Sequence, residues 1–558
     1  MPRVLSLQTN FNSGMLDPRL AARTDIKHYY QGAASAINVV STPQGGLKRR
    51  PGFAYVDDIG ESARLAAFAF NVEQTYLMVF TNNNIEVFKD GVSQANVTTT
   101  YTSAQLFELQ WTQSADTMII VHEDHAPAKL VRGGSHTSWT LSTITLSNIP
   151  QFDYGSGAVD VWSSAKGWPK SVTFHEGRMW FGGSKSRPQT MWGSKVSDFY
   201  NFAIGTGLDD ELVDITLDTD QVNAITAIFP GRHLQVFTTG GEFMMPDSPI
   251  TPAKSAVKRQ TLYGSSTIPP KSIDGATIFM DRTGKSLREF LFTYTEDAYT
   301  AGTTSIVASN LLNSPVDMDV LRGTTTDDSN YVYIVNADGT MAVFNTLRNQ
   351  EVSGWTKWTT AGTVESVCTV VDEVYLLVKR TINSATKYYL ESLNVNTFMD
   401  ANKYQTITPS ATITGLAHLN DEECRVVADD AVMPNATPSS GSITLSRTAT
   451  TIEVGLDYDI EIKTMPINQD FQDGPTLVRK KRIVKVVADV YESLGLFVNG
   501  ERLPDRQFGT GILGTTPTVY TGIHEVYLLG WDRLSQVTIT QEDPLPMTIL
   551  GLAVEFEA

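Results

Sequence analysis

Short segments with apolar residues at alternate or nearly continuous positions dominate the chain between residues 60 and 400. The first three lie at 63–70, 75–81 and 84–91, and Asn-rich or Asp-Gly turns separate them. Side chains alternate between the two faces of a strand, and Asn, Asp and Gly tolerate the left-handed backbone of a tight hairpin. The pattern therefore predicts strands joined by hairpins.

This pattern of strands and turns repeats at intervals of roughly 40–60 residues as far as residue 393, in units that share architecture but little sequence. Repeats of this length are typical of β-propellers built from four-stranded blades, and we expect about five to seven blades. A series of β-sandwiches is the alternative. Helical character is scarce and is confined to residues 16–30 and one turn at 196–202.

The pattern of apolar and turn residues changes near residue 400, where segments of alternating apolar and polar residues are separated by Pro-, Ser- and Gly-rich turns. A chain of 558 residues is also too long for one compact core. We therefore predict an all-β chain, a β-propeller with additional small β-barrel or sandwich domains and an extended N-terminal arm. The predicted divisions are the arm at 1–60, the propeller at 61–400, a small β-barrel or sandwich at 401–476 and a C-terminal β-domain at 477–558.

Composition narrows the classes of function. The formal net charge is −18, and a chain so acidic is unsuited to reading nucleic-acid sequence, because phosphate neutralisation needs Lys and Arg. Acidity also simply favours solubility. Two cysteines, Cys368 and Cys424, do not make a disulfide framework, so we expect folding in a reducing compartment. No apolar run approaches the roughly 18 residues of a membrane helix, and residues 1–20 lack the apolar segment of a signal peptide.

Acidic residues in the predicted blade loops are candidates for glycoside hydrolysis. That reaction needs two carboxylates across a pocket, one of them with a raised pKa. The candidates are Glu176, Asp209, Asp210, Glu211 and Asp281. Because 209–211 is a run of neighbours in a loop, we interpret it as a solvated surface rather than a catalytic site.

The segment His122-Glu123-Asp124-His125 contains metal-binding residue types at the wrong spacing. The zinc-protease pattern places two His residues four apart on a helix, whereas these are three apart and follow an apolar strand. We interpret the segment as a hairpin turn. No P-loop or dinucleotide-binding glycine pattern is present, so the sequence predicts neither a metal nor an organic cofactor.

A basic cluster opens the last segment of the chain. Its members are Arg479, Lys480, Lys481 and Arg482. One interpretation is the start of a strand whose charges stay in water while the following Ile and Val residues pack inward. The other is a contact patch for an acidic neighbouring subunit. The first interpretation is favoured, and the second stays open.

The N-terminal segment follows a different rule, because Gly, Pro, Asn and Arg replace the alternating apolar pattern. A Gly-x-x-x-Pro-Arg turn precedes Arg-x-Asp, a Tyr and Gly segment, an Asn, a Pro-Gln-Gly-Gly turn and an Arg-Arg-Pro-Gly close. We call this set the N-terminal signature: Gly14, Pro18, Arg19, Arg23, Asp25, Tyr29, Gly32, Asn38, Pro43, Gln44, Gly45, Gly46, Arg49, Arg50, Pro51 and Gly52.

The signature resembles that of tail nozzle proteins of short-tailed bacteriophages, which are also called tail tubular or stabilization proteins. One departure is the Met15-Leu16-Asp17 sequence, where the family usually has Glu-Leu-Ser. Further segments that resemble the family follow in order at 178–194, 350–355, 456–466, 480–483 and 541–551.

This resemblance implies a structural virion protein rather than an enzyme. Six copies would form a ring beneath the head–tail adaptor ring, extend the portal channel, retain the packaged genome and conduct double-stranded DNA during ejection. The protein would be assembled in the host cytoplasm and reside in the short tail of the virion, with tail fibres or spikes as further partners and no cofactor. The alternative is a tail-associated propeller that binds or hydrolyses glycans.

Two structural expectations accompany this interpretation. The arm should be an extended segment that ties the subunit to its neighbour or to the adaptor, because Gly and Pro suit a chain punctuated by turns. Deleting residues 1–50 should then leave a soluble propeller that no longer joins the tail. Trp180, within a strand-like run, is expected to lie in the core of a blade.

Overall fold

The structure, a computed structural model, describes residues 3–323, 329–471, 474–476, 479–505 and 516–558. Seven four-stranded units form a β-propeller, and nearly all the remaining regular structure is strand as well. The predicted fold class is therefore confirmed. The first strands of neighbouring blades lie beside one another, and the first strand of the last blade packs against that of the first blade.

Blades one to five are antiparallel sheets of four consecutive strands each, joined by the short turns that the sequence pattern predicts. Their strands are Arg64–Ala69, Thr75–Thr81, Asn84–Lys89 and Val92–Thr98; Gln110–Ser114, Thr117–His122, His125–Arg132 and Trp139–Thr143; Ser171–His175, Arg178–Gly182, Thr190–Gly193 and Val213–Thr216; Ile225–Pro230, Leu234–Thr238, Glu242–Met245 and Lys258–Thr261; and Lys271–Ile273, Ala276–Met280, Leu287–Thr293 and Ala298–Thr303.

Large apolar side chains fill the spaces between neighbouring blades. Trp180 of blade three shares a cluster with Ile228 of blade four, and Phe237 of blade four shares another with Phe279 of blade five. Trp180 is fully buried, as the sequence predicts. The alternating pattern thus gives each blade two apolar faces, each packed against a neighbour.

Blade seven combines strands from both ends of the propeller sequence. The segment 363–394 supplies three strands, and Gly52–Asp58 pairs with the third of them in antiparallel register. This pairing closes the ring of blades by backbone hydrogen bonds. The strands of blades six and seven are Pro315–Leu321, Asn330–Asn336, Met341–Leu347 and Val352–Trp358; and Thr363–Val370, Glu373–Ile382, Ala385–Asn394 and Gly52–Asp58.

The sheets of these two blades continue into the C-terminal part of the chain. Beyond blade six follow, in spatial order, Gly14–Met15, Gly32–Ile37, Ile460–Thr464, Thr538–Gln541, Leu496–Val498 and Glu501–Arg502. Beyond blade seven follow Asp400–Thr414, Ser442–Leu456, Cys424–Ala428 and Ala431–Ala436. Ser442–Leu456 is one continuous strand of 15 residues.

A further sheet, which we call the terminal sheet, is formed by both ends of the chain. Its strand order is Val39–Ser41, Leu47–Arg49, Thr548–Glu557, Arg482–Ser493 and Tyr520–Tyr527, and Arg3–Gln8 also pairs with Thr548–Glu557. One face of it packs in a core that Phe11, Ile462, Val486, Ile539 and Phe556 share.

Helices are short throughout the described residues. Residues 16–30 form a 3₁₀ turn at Pro18–Leu20 and one α-helical turn at Lys27–Tyr30, and the turn predicted at 196–202 is not helical. The remaining 3₁₀ turns are Ser103–Glu108, Ile306–Leu311, Arg348–Gln350 and Ala417–Leu419, and two small hairpins pair Gln151–Asp153 with Ala158–Asp160 and Asp470–Phe471 with Gly474–Pro475.

The domain divisions at residues 60, 400 and 476 stay a prediction. Sheets cross all three positions, because Gly52–Asp58 belongs to blade seven, Asp400–Thr414 touches Gly52–Asp58, and Ile460–Thr464 pairs with Thr538–Gln541.

Candidate functional site

The N-terminal signature lies at a junction between blades six and seven and the C-terminal strands. Gly14–Met15 and Gly32–Ile37 both pair in parallel with the last strand of blade six, and Gly32–Ile37 pairs on its other side with Ile460–Thr464. These two strands therefore lie between other strands of the chain and join its parts by backbone hydrogen bonds. We call this region the junction.

The Arg50 side chain combines an ion pair, hydrogen bonds and contacts with aromatic rings. Its Nη1 and Nη2 atoms donate to the two carboxylate oxygens of Asp400 at 2.8 and 2.6 Å, and both side chains are fully buried. Nε donates to Asn38 Oδ1 at 3.0 Å. The guanidinium carbon lies 3.6 Å from the ring centre of Tyr458 and 4.2 Å from that of Phe53. Charge, hydrogen bonds and ring faces together compensate for the loss of water.

Arg49 points into the same core, and the acceptors of its hydrogen bonds among residues 3–323, 329–471 and 516–558 are neutral groups. Nη1 donates to Gln541 Oε1 at 2.8 Å and to the Asp543 carbonyl at 3.1 Å, while Nη2 donates to the Phe398 carbonyl at 3.0 Å. Nε donates to the hydroxyl of Tyr458 at 3.1 Å. Through Gln541, Arg49 thus contacts the strands beyond blade six. Through Phe398, it contacts the segment that leads into the strands beyond blade seven.

A chain of buried polar groups continues from Asp400 into blade seven. The Thr360 hydroxyl donates to Asp400 at 2.6 Å and accepts from Arg380 Nη1 at 2.9 Å. Arg380 in turn forms a bidentate ion pair with Glu391, again with both side chains fully buried. Two buried ion pairs therefore share one hydroxyl, which couples the position of the N-terminal segment to that of blade seven.

Glu453 supplies another buried carboxylate beside Arg49. Its Oε1 accepts hydrogen bonds from the backbone nitrogens of Phe398 at 2.8 Å and Met399 at 2.9 Å. Burial raises the pKa of the Glu453 carboxyl to about 7, although these two hydrogen bonds act in the opposite direction. The group therefore titrates near neutral pH in the folded protein.

The signature glycines stand where two backbones come too close for a side chain. A Cβ atom on Gly14 would lie 2.2 Å from the Trp355 carbonyl oxygen, and one on Gly52 would lie 2.2 Å from that of Met399. On Gly46 it would lie 2.9 Å from the Ile549 oxygen. These approaches explain why the segment is rich in glycine.

Asn38 and Tyr29 hold the N-terminal segment in place by side-chain hydrogen bonds. Asn38 has a left-handed φ of 55°, and its amide nitrogen donates to the Asp459 carbonyl at 2.7 Å. The buried Tyr29 hydroxyl donates to the Pro466 carbonyl at 2.7 Å and accepts from Asn468 at 3.0 Å. Each residue connects the N-terminal segment to the chain more than 400 residues later.

The remaining signature residues shape turns around the junction. Asp17 caps the turn that begins at Pro18 and pairs with Arg19, and this hydrogen bonding lowers the pKa of Asp17. Arg23 pairs with Asp25 at the surface. Gly32 lies against Leu16, and residues 42–46, which include Pro43, Gln44 and Gly45, form a hydrogen-bonded turn. Pro51 follows Arg50 and leads into blade seven.

The predicted basic patch does not form one exposed surface. Lys481 is buried, its Nζ donates to the Thr476 carbonyl at 3.3 Å, and its backbone pairs with Asp532. Lys480 is exposed, and Arg479 and Arg482 are half-buried. The buried Lys481 therefore does not stay in water as the strand interpretation expects. A contact role for the other members remains a proposal.

The candidate acidic residues of the blade loops contact their own turns or neighbouring loops. Glu176 accepts from Ser248 and the Ile250 backbone, and Glu211 accepts from the backbone of Leu208 at 2.8 Å. Asp210 pairs with Lys195, the Asp209 carbonyl accepts from Arg178, and Asp281 accepts from Thr283 and Ser286. The 122–125 segment is a turn between two strands of blade two, as predicted, and a search of the described residues finds no metal-binding group of three His, Cys, Asp or Glu side chains.

The first strands of the seven blades surround a central cavity of about 630 Å³. Lys271 Nζ lies 2.8 Å from Asp319 Oδ1, and Asp317 accepts from the Ser366 hydroxyl at 2.6 Å. Arg64 donates to the Leu109 carbonyl at 2.7 Å and stacks on Trp111, and burial lowers the pKa of this guanidinium. The cavity has the size of a small-molecule site.

Sequence reasoning found the arginines of the junction but missed their partners. Glu391 and Glu453 stand in strand segments whose pattern drew attention only to the apolar residues, and Asp400 stands where the sequence pattern changes. A weak signal was present, since Glu391 lies between Tyr389 and Leu393 on one face of its strand. Nothing in the sequence pairs a given carboxylate with a given arginine.

Comparisons with known proteins bear on the same region. Residues 22–160 match the family model described as bacteriophage nozzle protein, a stretch that contains the signature from Arg23 to Gly52 and the first two blades. A search of curated proteins finds no match. Among the described residues no helix is long and apolar enough to cross a membrane.

Several solved structures show a distant likeness. They include BBS1N in complex with ARL6DN soaked with mercury (6% identity, TM-score 0.37, 62% of this chain and 98% of that chain), the Neurospora crassa Pan2 WD40 domain (11%, 0.35, 62% and 96%) and U3-55K (8%, 0.38, 62% and 100%). At such scores these likenesses carry no functional argument. The family match over residues 22–160 supports a bacteriophage nozzle protein, a structural component of a phage tail.

Proposed function

We propose that this chain is the subunit of a hexameric tail nozzle in a short-tailed bacteriophage. The ring extends the portal–adaptor channel, retains the packaged genome and conducts double-stranded DNA during ejection. Its partners are five further copies of the chain, the head–tail adaptor ring, and tail fibres or spikes. The protein is assembled in the host cytoplasm and resides in the virion.

The family match over residues 22–160 carries this proposal. The junction supports a mechanical role, because it ties blades six and seven to the C-terminal strands through continuous sheets and buried ion pairs. A unit built in this way resists bending, as the wall of a pressurised channel must. The proposal assigns the chain no enzymatic activity and no cofactor.

The path of the DNA follows from size and charge. The cavity inside the propeller has about 630 Å³, which suits a small molecule rather than a duplex. DNA would therefore pass through the central channel that the six subunits surround, and not through the propeller of any one subunit. Where acidic residues face the duplex, they repel its phosphates, and the net charge of −18 therefore favours free passage of DNA over binding to the wall. Salt screens this repulsion only beyond about 8 Å, so a wall close to the duplex still acts on it.

Cryo-EM of tails on intact particles tests the proposal. Six copies in a ring below the adaptor, around a continuous channel, are the expected result. Three-fold or peripheral copies away from the channel would overturn it and favour the glycan-binding or glycan-hydrolysing alternative. Polysaccharide clearing by the purified chain would then distinguish hydrolysis from binding.

A further inference from the structure

The solvent-facing side of the terminal sheet has an uneven distribution of apolar residues. Strand registers place Leu5, Glu555, Lys485 and Tyr527 in one row across the sheet, on the face opposite the core. The two central positions are charged, and Lys485 and Glu555 suit contact with water. The two outer positions are large and apolar, and Leu5 is 70% and Tyr527 69% exposed.

The neighbouring rows are mixed, because the second row has apolar central residues and the charged Glu525 at one of its outer positions. Leu7 shares a row with Ala553, Val487 and Glu525, and it is 67% exposed. Ile523, one row further along the other outer strand, is 59% exposed. Exposed apolar residues thus concentrate on two edge strands, Arg3–Gln8 and Tyr520–Tyr527, at opposite sides of one sheet.

Both outer strands also lack a backbone partner on their outer side within the described ranges. A side-chain amide of Gln469 approaches the Leu5 carbonyl at 3.5 Å. Open strand edges with apolar side chains promote association, and soluble proteins usually protect them with charges or prolines. Leu529, just beyond the second outer strand, is 89% exposed and extends the apolar surface.

We propose that these two edges are the two halves of a head-to-tail subunit contact, in which the Arg3–Gln8 edge of one copy packs against the Tyr520–Tyr527 edge of the next. The choice of a second copy as the occupant rests on the proposed ring. It is favoured because the two edges differ from each other, as a heterologous contact in a closed ring requires. The two strands also run in opposite directions, so the added copy continues the antiparallel sheet.

Cross-linking of a double-cysteine chain tests this contact. The native Cys368 and Cys424 are both buried, so a full-length chain carrying Leu5→Cys and Tyr527→Cys has reactive thiols only at the two edges among the described residues. A short bis-maleimide should convert this chain into a ladder of covalent oligomers that ends at a closed ring. Each single variant should give no ladder, because the two edges meet only each other.

Two outcomes overturn the contact. One is the absence of a ladder from the double variant at high protein concentration. The other is a cross-linked dimer from Tyr527→Cys alone, which would indicate a two-fold contact of like edges. Neither outcome decides whether the chain is a nozzle, because its place in the particle is measured separately by cryo-EM.

A charge at the same edge provides an independent measurement. Ile523→Lys should weaken self-association in sedimentation experiments at least tenfold, while the melting temperature stays unchanged. The matched control is Tyr294→Lys, since Tyr294 is an exposed aromatic residue of the propeller far from the terminal sheet in sequence. Equal loss of association in both variants, or in neither, would contradict the contact.

Discussion

Arg50 and Asp400 form a bidentate ion pair in which both side chains are fully buried, although 350 positions separate them along the chain. Arg50 lies near the end of the N-terminal signature, and Asp400 begins the long strand that leaves blade seven. A pair of this kind constrains two distant segments at once, because either charge alone would be buried without compensation.

Replacing Arg50 should therefore be costly. Arg50→Met leaves the Asp400 carboxylate in the core without its partner, and we expect a loss of about 3–5 kcal/mol in the free energy of unfolding, measured by urea denaturation. The double variant Arg50→Met with Asp400→Leu should recover part of this loss, because it removes both charges.

The matched control for Arg50 is Arg23, another signature arginine. Arg23 pairs with Asp25 at the surface, so Arg23→Met should leave the unfolding midpoint unchanged. Similar effects of the two substitutions would show that burial of the Arg50 pair does not matter for stability.

The junction glycines give a second prediction. Gly52→Ala places a Cβ 2.2 Å from the Met399 carbonyl oxygen, which belongs to backbone and cannot rotate away. We expect a loss of about 1–3 kcal/mol in the free energy of unfolding from overpacking. Gly302 is the matched control, because it also stands in a strand and has open space around its Cβ position. Gly302→Ala should be neutral or slightly stabilising. Equal losses would rule out the clash as the cause.

Several parts of this architecture were accessible from the sequence. Alternation and turn residues predicted the blades, since the requirement is local: a strand of period two followed by Asn, Asp or Gly. Trp180 was assigned to a blade core for the same reason. The sequence predicts five to seven blades and not one number, because the fourth strand of the last blade is Gly52–Asp58 from the N-terminal segment. A local pattern does not show that pairing.

The nature of the N-terminal segment was harder to predict. Gly and Pro suggested an extended arm directed outward, whereas residues such as Tyr29, Asn38 and Arg49 are held by groups more than 300 positions away. Glycine marks close approach between backbones as well as turns, and composition does not distinguish the two. Contact with an adaptor or a neighbour stays a prediction for the exposed residues of the segment.

Glu453 makes stability depend on pH. Burial raises the pKa of its carboxyl to about 7 in the folded protein, from 4.5 when solvated. The folded state therefore holds the proton more tightly, and this contribution is fully present below pH 4.5 and is lost as pH rises to about 7. We expect the lost part to be roughly 3–4 kcal/mol at most.

Glu453→Gln is the variant that isolates this effect. It keeps an acceptor oxygen for the Phe398 and Met399 amides but cannot ionise, so its stability should fall less than that of the wild-type chain between pH 5 and pH 7.5. The measurement is the unfolding free energy at several pH values. Parallel curves for the two proteins would show that Glu453 does not titrate in this window.

Truncation separates the roles of the N-terminal strands. Deleting residues 1–50 removes Gly14–Met15, Gly32–Ile37, Arg49 and Arg50 from the interior of the junction. These contacts lead us to expect an unfolded or aggregated product in place of a soluble propeller, measured by circular dichroism and light scattering. Deleting residues 1–8 removes only the outer strand Arg3–Gln8 and should leave a folded monomer. A soluble, cooperatively melting product of the longer deletion would show that the junction is dispensable for the propeller.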